Sequence, residues 1–228
     1  MIRKIVVIAF FLIAGFCKNL AFAQTDTLGA RPLYLKISLQ HLLINGLHVD
    51  IEKPHKYNKR RSLVLSPRFY SGRTHTVDLF SGRSGEEEDN AQVLGFGAEI
   101  QQRWYLSTKT DITRKRTYVA YGLNLHHFAV AFEKEAWVEE TASDGLAYYQ
   151  YRMRPYQEKI YQWGAVAMFG AQNPLSIPRT ILDIFVGVGY HNSHGQTTYH
   201  KLRYNQGFMD YGYTGFYFLA GLKLGLTI

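Results

Sequence analysis

The chain has 228 residues, a formal net charge of +8, 15% aromatic residues (17 Tyr, 14 Phe), 20 Gly, 6 Pro and a single Cys. That length suits one domain of ordinary size, and the recurrence of Gly, Tyr and Phe suits strands, turns and aromatic girdles. No stretch beyond the first 23 residues offers about 18 uninterrupted apolar residues, which excludes a helical membrane protein; no Lys/Arg block carries aromatic spacing, so nucleic-acid binding has no support.

Arg3 and Lys4 form a positive n-region, Ile5 to Phe16 an apolar run of 12, and Ala21-Phe22-Ala23 an A-x-A cleavage site. The pattern predicts a signal peptide over residues 1–23, cleaved before Gln24. The run is too short for the ~20 residues of a transmembrane anchor. Phe16 stands before Cys17, where a lipoprotein signal needs a small residue. Cleavage removes Cys17, and with it any disulfide, thiolate metal site or Cys nucleophile. Losing Arg3, Lys4 and Lys18 lowers the charge from +8 to +5. An exported, amphipathic chain over 24–228 with no membrane helix leaves a closed β-barrel as its spanning structure.

The elements follow in order. Gln24 to Ala30 is a polar lead. Leu33 to Ile44 begins as a strand, alternating Leu33, Leu35, Ile37 and Leu39 with Tyr34, Lys36, Ser38 and Gln40. Parity breaks over His41 to Ile44, where a bulge is expected. Asn45-Gly46 reads as a tight hairpin into Leu47, Val49 and Ile51. Pro54 to Arg60 is a basic turn. Ser62 to Tyr70 is the third strand, with Pro67 predicting a bulge or local distortion. Gly72 to Asn90 is a long polar loop, and Gln92 to Leu106 the fourth strand. After the turn Ser107 to Lys115, Arg116 to Phe132 is the fifth, with a parity slip near His127-Phe128. Glu133 to Gln157 reads as the longest loop. Glu158 to Gly170 and Arg179 to Tyr190 are the sixth and seventh strands, separated by the turn Ala171 to Pro178. Asn192 to Tyr213 is a Tyr-rich loop.

The eighth strand, Thr214 to Ile228, has the clearest period. Phe216, Phe218, Ala220, Leu222, Leu224, Leu226 and Ile228 share one face; Tyr217, Leu219, Gly221, Lys223, Gly225 and Thr227 share the other. It is expected to close on the first strand, leaving no edge in lipid. The predicted fold is all-β: an eight-stranded antiparallel up-and-down transmembrane β-barrel with long external loops. Connections two, four and six are short; three, five and seven are long. The first departs from this rhythm. The short turns are basic (Lys56, Lys59, Arg60; Lys109, Arg114, Lys115), and the loops Gly72–Asn90 and Glu133–Gln157 are net acidic.

Opposite the apolar face lie Lys36, Asp50, Glu52, Arg68, Glu99, Arg103, Asp183 and Lys223, four acidic and four basic. A barrel of eight strands has room for little beyond its side chains, and isolated charges inside it are costly. The prediction is an ion-pair network that plugs the lumen, with no wide channel, no metal and no cofactor. Lys223 has Asp50, Glu52, Glu99 and Asp183 as candidate partners.

The order of apolar alternation, Asn-Gly, L-H-V-D-I-E and a basic turn over Leu33 to Arg61 resembles the start of small outer-membrane β-barrel proteins of Bacteroidota, several of them uncharacterised families. The leader and the final strand fit as well, although Ile228 stands where such barrels often end in an aromatic residue. The resemblance implies insertion by the outer-membrane assembly machinery and no particular activity. Outer-membrane lipid and lipopolysaccharide are the expected surroundings.

Four constellations bear on chemistry. His191-Asn192-Ser193 has the His-x-Ser form used by outer-membrane lipid A deacylases, with Ser as nucleophile and His as base. Here His191 has inward parity, no acid follows until Asp210, and His194-Gly195 replaces the pattern that should come next. His126-His127 cannot chelate one ion, because adjacent strand residues face opposite ways. Glu86 to Asp89 is a solvated tip or a divalent-cation site bridging lipopolysaccharide. Trp104, Trp137 and Trp163 are girdle candidates, Trp137 and the loop Asn192–Tyr213 being alternatively contacts for an external ligand. Three readings follow: a non-enzymatic outer-membrane barrel, structural or ligand-binding; an outer-membrane lipid-modifying enzyme; and a soluble exported ligand-binding barrel.

Overall fold

The structure is a computed structural model that describes residues 32–58, 60–74, 91–106, 115–141 and 145–228. The leader over 1–23 with Cys17, the polar lead, the acidic tip Glu86–Asp89 and most of the turn Ser107–Lys115 lie outside the described residues. The strands are β1 Tyr34–Ser38, β2 Gly46–Pro54, β3 Arg61–Arg73, β4 Gln92–Tyr105, β5 Arg116–Thr141, β6 Ala147–Pro174, β7 Thr180–Thr197 and β8 Gly215–Thr227. Each pairs antiparallel with the next, and β1 closes on β8 from Tyr34↔Thr227 to Ser38↔Lys223. The eight-stranded up-and-down barrel expected from the period-two pattern is the observed architecture.

Alternation sorts the side chains by face. From Leu94 to Trp104 on β4, Val119 to Leu125 on β5, Tyr161 to Phe169 on β6, Ile184 to Tyr190 on β7 and Phe216 to Leu226 on β8, every outward residue is apolar or aromatic except Gln102. Gln102 is half-buried and donates to the Ser62 carbonyl at 3.1 Å. At ~3.3 Å per residue and a tilt of ~40°, Leu94 to Trp104 climbs roughly 25 Å.

The structure departs from the sequence reading at several places. No tight Asn45-Gly46 hairpin forms. β1 stops at Ser38 and Gln40–Ile44 winds into a 3₁₀ turn, ended by Asn45 in the left-handed region (φ 60°) with its N–H on the His41 carbonyl. Asn tolerates that conformation. Winding lets Ile44 pack on the buried cluster and His41 stack on His48 at 3.6 Å between centroids. A strand through these residues would hold the broken parity against one face or the other.

Pro67 makes no bulge. The β2–β3 ladder runs through His48↔Arg68 and resumes at Ile51↔Leu65 with the register unchanged, so the missing N–H costs a local interruption only. Nor does β5 slip at His127-Phe128. Phe128, Val130 and Phe132 continue inward, and the lumen itself turns from polar to apolar there.

The segment Glu133–Gln157 is a paired hairpin rather than a loop. Its ladder runs from Phe132↔Tyr156 to Thr141↔Ala147, beyond the last neighbouring pairs Gln92↔Ala131 and Glu158↔Thr197. This two-stranded ribbon projects roughly 30 Å past the rim at ~3.3 Å per residue. The last loop is shorter than predicted, since β7 runs to Thr197, and its remainder turns into the barrel mouth, burying Tyr204 and Tyr211.

Gly97 marks where the inner face has no spare volume: a Cβ there would run into the His126 ring and the Leu125 carbonyl. Gly97→Val is expected to destabilise the barrel by about 1–3 kcal/mol, whereas Ala98→Val on the outer face leaves it intact. Urea midpoints of the purified proteins check this; equal midpoints for the two variants would refute it.

Candidate functional site

The lumen between β1, β2, β4, β7 and β8 gathers six of the eight predicted charges. Lys36 Nζ lies 2.5 Å from Glu52 Oε2 and 2.8 Å from Asp183 Oδ2. Arg103 Nη1 lies 2.7 Å from Asp183 Oδ2 and 3.3 Å from Glu52 Oε2, and its Nη2 is 3.5 Å from Asp50 Oδ2. Lys223 Nζ pairs with Asp50. All six are buried. Register explains the gathering: Lys36 faces Asp50 across β1–β2, Lys223 faces Asp183 across β7–β8, and Glu52 is the next inward position after Asp50. Three cations meet three anions, so the cluster is neutral.

Neutral donors fill the remaining lone pairs. Ser62 Oγ donates to Glu52 Oε1 at 2.5 Å, Gln172 Nε2 to Glu52 Oε2 at 3.0 Å, and Tyr118 OH to Asp183 Oδ1 at 2.7 Å. Tyr105 OH donates to Glu52, and Ser66 Oγ to Asp50. The Arg103 guanidinium lies 4.4 Å from the centroid of Tyr118, and that of Arg116 lies 3.6 Å from Tyr105. Desolvated charges need this completeness to offset their burial.

The other two charges form a second neutral pair toward the long-loop end. Arg68 bonds Glu99, which also takes a donor from Gln101 and one from Asn124 at 3.3 Å. Arg68 Nη1 lies 3.1 Å from His126 Nε2. His48 Nε2 lies 2.8 Å from Tyr70 OH.

Above this pair, Tyr70, Val93, Phe128, Val130, Phe132 and Ile160 join Tyr204 and Tyr211 from the last connection. Glu158 accepts from the backbone N–H groups of Arg203 (2.9 Å) and Tyr204 (3.2 Å), and Gln162 donates to the Tyr211 carbonyl at 3.1 Å. The last connection thus caps the barrel mouth. Sequence reasoning missed it because its Tyr residues follow no period. The remaining signal was Glu158 and Gln162, two polar inward positions at the rim.

The paired His residues separate as strand geometry requires. His126 faces the lumen; His127 faces out between Phe96 (5.3 Å) and Tyr161 (4.5 Å between centroids). Among the described residues no three His, Cys, Asp or Glu side chains converge as metal ligands. Ser193 Oγ donates to the Tyr213 carbonyl at 3.0 Å, and the His191 ring stacks on Tyr217 at 4.2 Å. That hydroxyl is engaged with backbone rather than imidazole.

On the ribbon, Trp137 lies against Tyr151 at 5.2 Å, beside a groove of about 570 Å³ lined by Trp137, Glu139, Arg152, Met153, Arg154 and Pro155. Glu140 pairs with Arg152 at 2.5 Å and accepts from Tyr148 OH at 2.8 Å, which raises the phenol pKa above its ordinary value. Comparison with protein-family models, curated proteins and solved structures finds no match to this chain.

Removing one member of the central cluster strands its partners. Asp183→Asn leaves Lys36 and Arg103 short of an anion and is expected to cost about 3–5 kcal/mol. Glu140→Gln on the exposed ribbon should cost under about 1 kcal/mol. Urea unfolding in detergent checks the pair, and an Asp183→Asn midpoint within error of Glu140→Gln would disprove the cluster's structural role.

Proposed function

We propose that this chain is an integral outer-membrane β-barrel, non-enzymatic, sealed by its own side chains. Its wall supports the envelope and its β5–β6 ribbon meets ligands outside. The observation that carries this reading is an inversion of faces. Phe216 and Phe218 are 78% and 85% exposed, at one edge of an apolar belt that includes Leu94, Phe96, Leu123 and Leu125, while Lys36, Arg103 and Asp183 have no exposure. A barrel built for water would reverse that arrangement. Monomeric soluble proteins rarely expose apolar patches beyond a few hundred Å², and a belt about 25 Å tall is the height a bilayer core requires.

Lipid and lipopolysaccharide are then the partners of the wall. The leader predicted over residues 1–23 and the outer-membrane assembly machinery account for delivery and insertion. The long-connection end, with the ribbon, lies outside. The two neutral charge clusters and the Tyr204–Tyr211 cap support a closed axis, because they fill the lumen at successive levels.

Fractionation tests the assignment. The protein should stay in the envelope pellet through an alkaline carbonate wash and dissolve only with detergent; recovery in the soluble periplasmic fraction rejects it. In planar bilayers the purified barrel should show no large, steady conductance. A stable open level would reject the sealed lumen while leaving membrane insertion standing.

A further inference from the structure

The wall is incomplete along one seam. β1 has 5 residues and β8 has 13. Their pairing ends at Ser38↔Lys223, followed by a bond from Leu39 N–H to the Leu222 carbonyl at 3.1 Å. Beyond it the chain leaves the sheet as the 3₁₀ turn, and from Gly215 to Gly221 β8 pairs only with β7. Leu222 and Ile228 bond toward β1, so Phe216, Phe218 and Ala220, of the same parity, turn their N–H and C=O to the open side. Side chains meet part of this demand. Gln40 Oε1 accepts the Leu222 N–H at 3.2 Å, and Tyr213 OH donates to the Phe216 carbonyl at 3.2 Å. The backbone groups of Phe218 and Ala220 have no partner among the described residues.

Two further observations lie behind the seam. Inward-facing Gly187, His191, Tyr217, Leu219 and Gly221 are partly exposed, whereas Gln101, Arg103, Ala120 and Asn124 across the lumen are buried. Asn124 Oδ1 and His191 Nε2 are buried with no hydrogen-bond partner, and His126, beside the Gln162 side chain, is buried between them. The Asn124 and His126 side chains belong to residues that are 2% and 6% exposed. The three converge: the His126 and His191 rings are 6.1 Å apart, and a Cβ on Gly164 would meet both His191 and the Asn124 amide oxygen. Orphaned polar atoms of this kind call for an occupant.

We propose that the seam between β8 and the 3₁₀ turn is a lateral entry from the lipid for a single-chain amphiphile with a hydrogen-bonding head, a long-chain carboxylic acid. Its acyl chain lies along the exposed Phe216 and Phe218 and the open edge. Its carboxyl group, protonated, reaches Asn124 and His191, its O–H donating to the amide oxygen and its C=O accepting from imidazole N–H. A second copy pairing on the β8 edge would satisfy Phe218 and Ala220 but leave Asn124 Oδ1 and His191 Nε2 orphaned, which favours the amphiphile. The inference rests on the membrane assignment above.

A photoactivatable diazirine fatty acid decides it, with the full barrel in phospholipid nanodiscs and labelled residues mapped by peptide mass spectrometry. Label is expected on inward Tyr217, Leu219 and His191 as well as on outward residues of the belt. Label on outward residues alone, as strong at Leu94 as at Phe218, overturns the entry but not membrane insertion. Failure to label even Leu94 overturns both. A cross-link between two copies through β8 that shuts out the probe also overturns it. Leu219→Trp, which fills the opening, should abolish label on His191 and keep label on Leu94. Persistent label on His191 in that variant contradicts the entry route, and the wild-type map stands if the variant does not fold.

Discussion

The neutral cluster of Lys36, Arg103, Lys223, Asp50, Glu52 and Asp183 is the interaction on which the rest depends. With its hydrogen-bond partners it touches every strand: Lys36 from β1, Asp50 and Glu52 from β2, Ser62 and Ser66 from β3, Arg103 from β4, Tyr118 from β5, Gln172 from β6, Asp183 from β7 and Lys223 from β8. A ring of antiparallel strands is held by its ladders, but a ladder says nothing about how a lumen is filled. Here the filling is ionic, and every carboxylate in it has cationic and neutral donors. An ionic interior of this kind is costly to break and specific in register, because shifting one strand by a residue would turn its charge into the wall.

That constraint explains the outer face. Once the charges are matched inside, the wall is left apolar: β5, β6, β7 and β8 carry uninterrupted apolar bands and β4 one broken only by Gln102. The two ends then differ for a physical reason. Toward the short connections the lumen ends in aromatic and cationic stacking, Arg116 on Tyr105 and Arg103 on Tyr118. Toward the long connections it ends in an apolar cluster that needs a lid, and the segment 198–214 supplies it through Tyr204 and Tyr211, anchored by Glu158.

Much of this was legible because a strand's period is two. Parity alone separated all eight lumen charges from the oily face. It could not say which charges meet, since Lys36 with Asp183 and Arg103 with Glu52 depend on how the ring closes. It also failed wherever the contrast between faces failed. Phe128, Val130 and Phe132 looked like a slip because the lumen becomes apolar beside them. The ribbon looked like a loop because both of its faces are mixed: Glu135, Trp137 and Glu139 on one side, Lys134, Ala136 and Val138 on the other. Asn45-Gly46 signalled a turn truly but not which one, since the same left-handed Asn that makes a hairpin also ends a 3₁₀ turn.

The seam follows from the same parity break. His41, Leu42, Leu43 and Ile44 cannot alternate between an apolar wall and the lumen, so β1 ends early and the turn packs inward through Ile44 and His41. β8 keeps its full period to Phe216, and the difference in length between the two closing strands is the opening. Side chains reduce the exposed demand at its margins, Gln40 at Leu222 and Tyr213 at Phe216, and leave the middle free. The Gln40 side chain lies against Gly221, next to Ala220, and accepts the Leu222 N–H, so the unpaired stretch begins where its reach ends. The interruption in the first strand's pattern is thus tied to the stretch of β8 that lacks a β1 partner and to the partly exposed inward residues behind it.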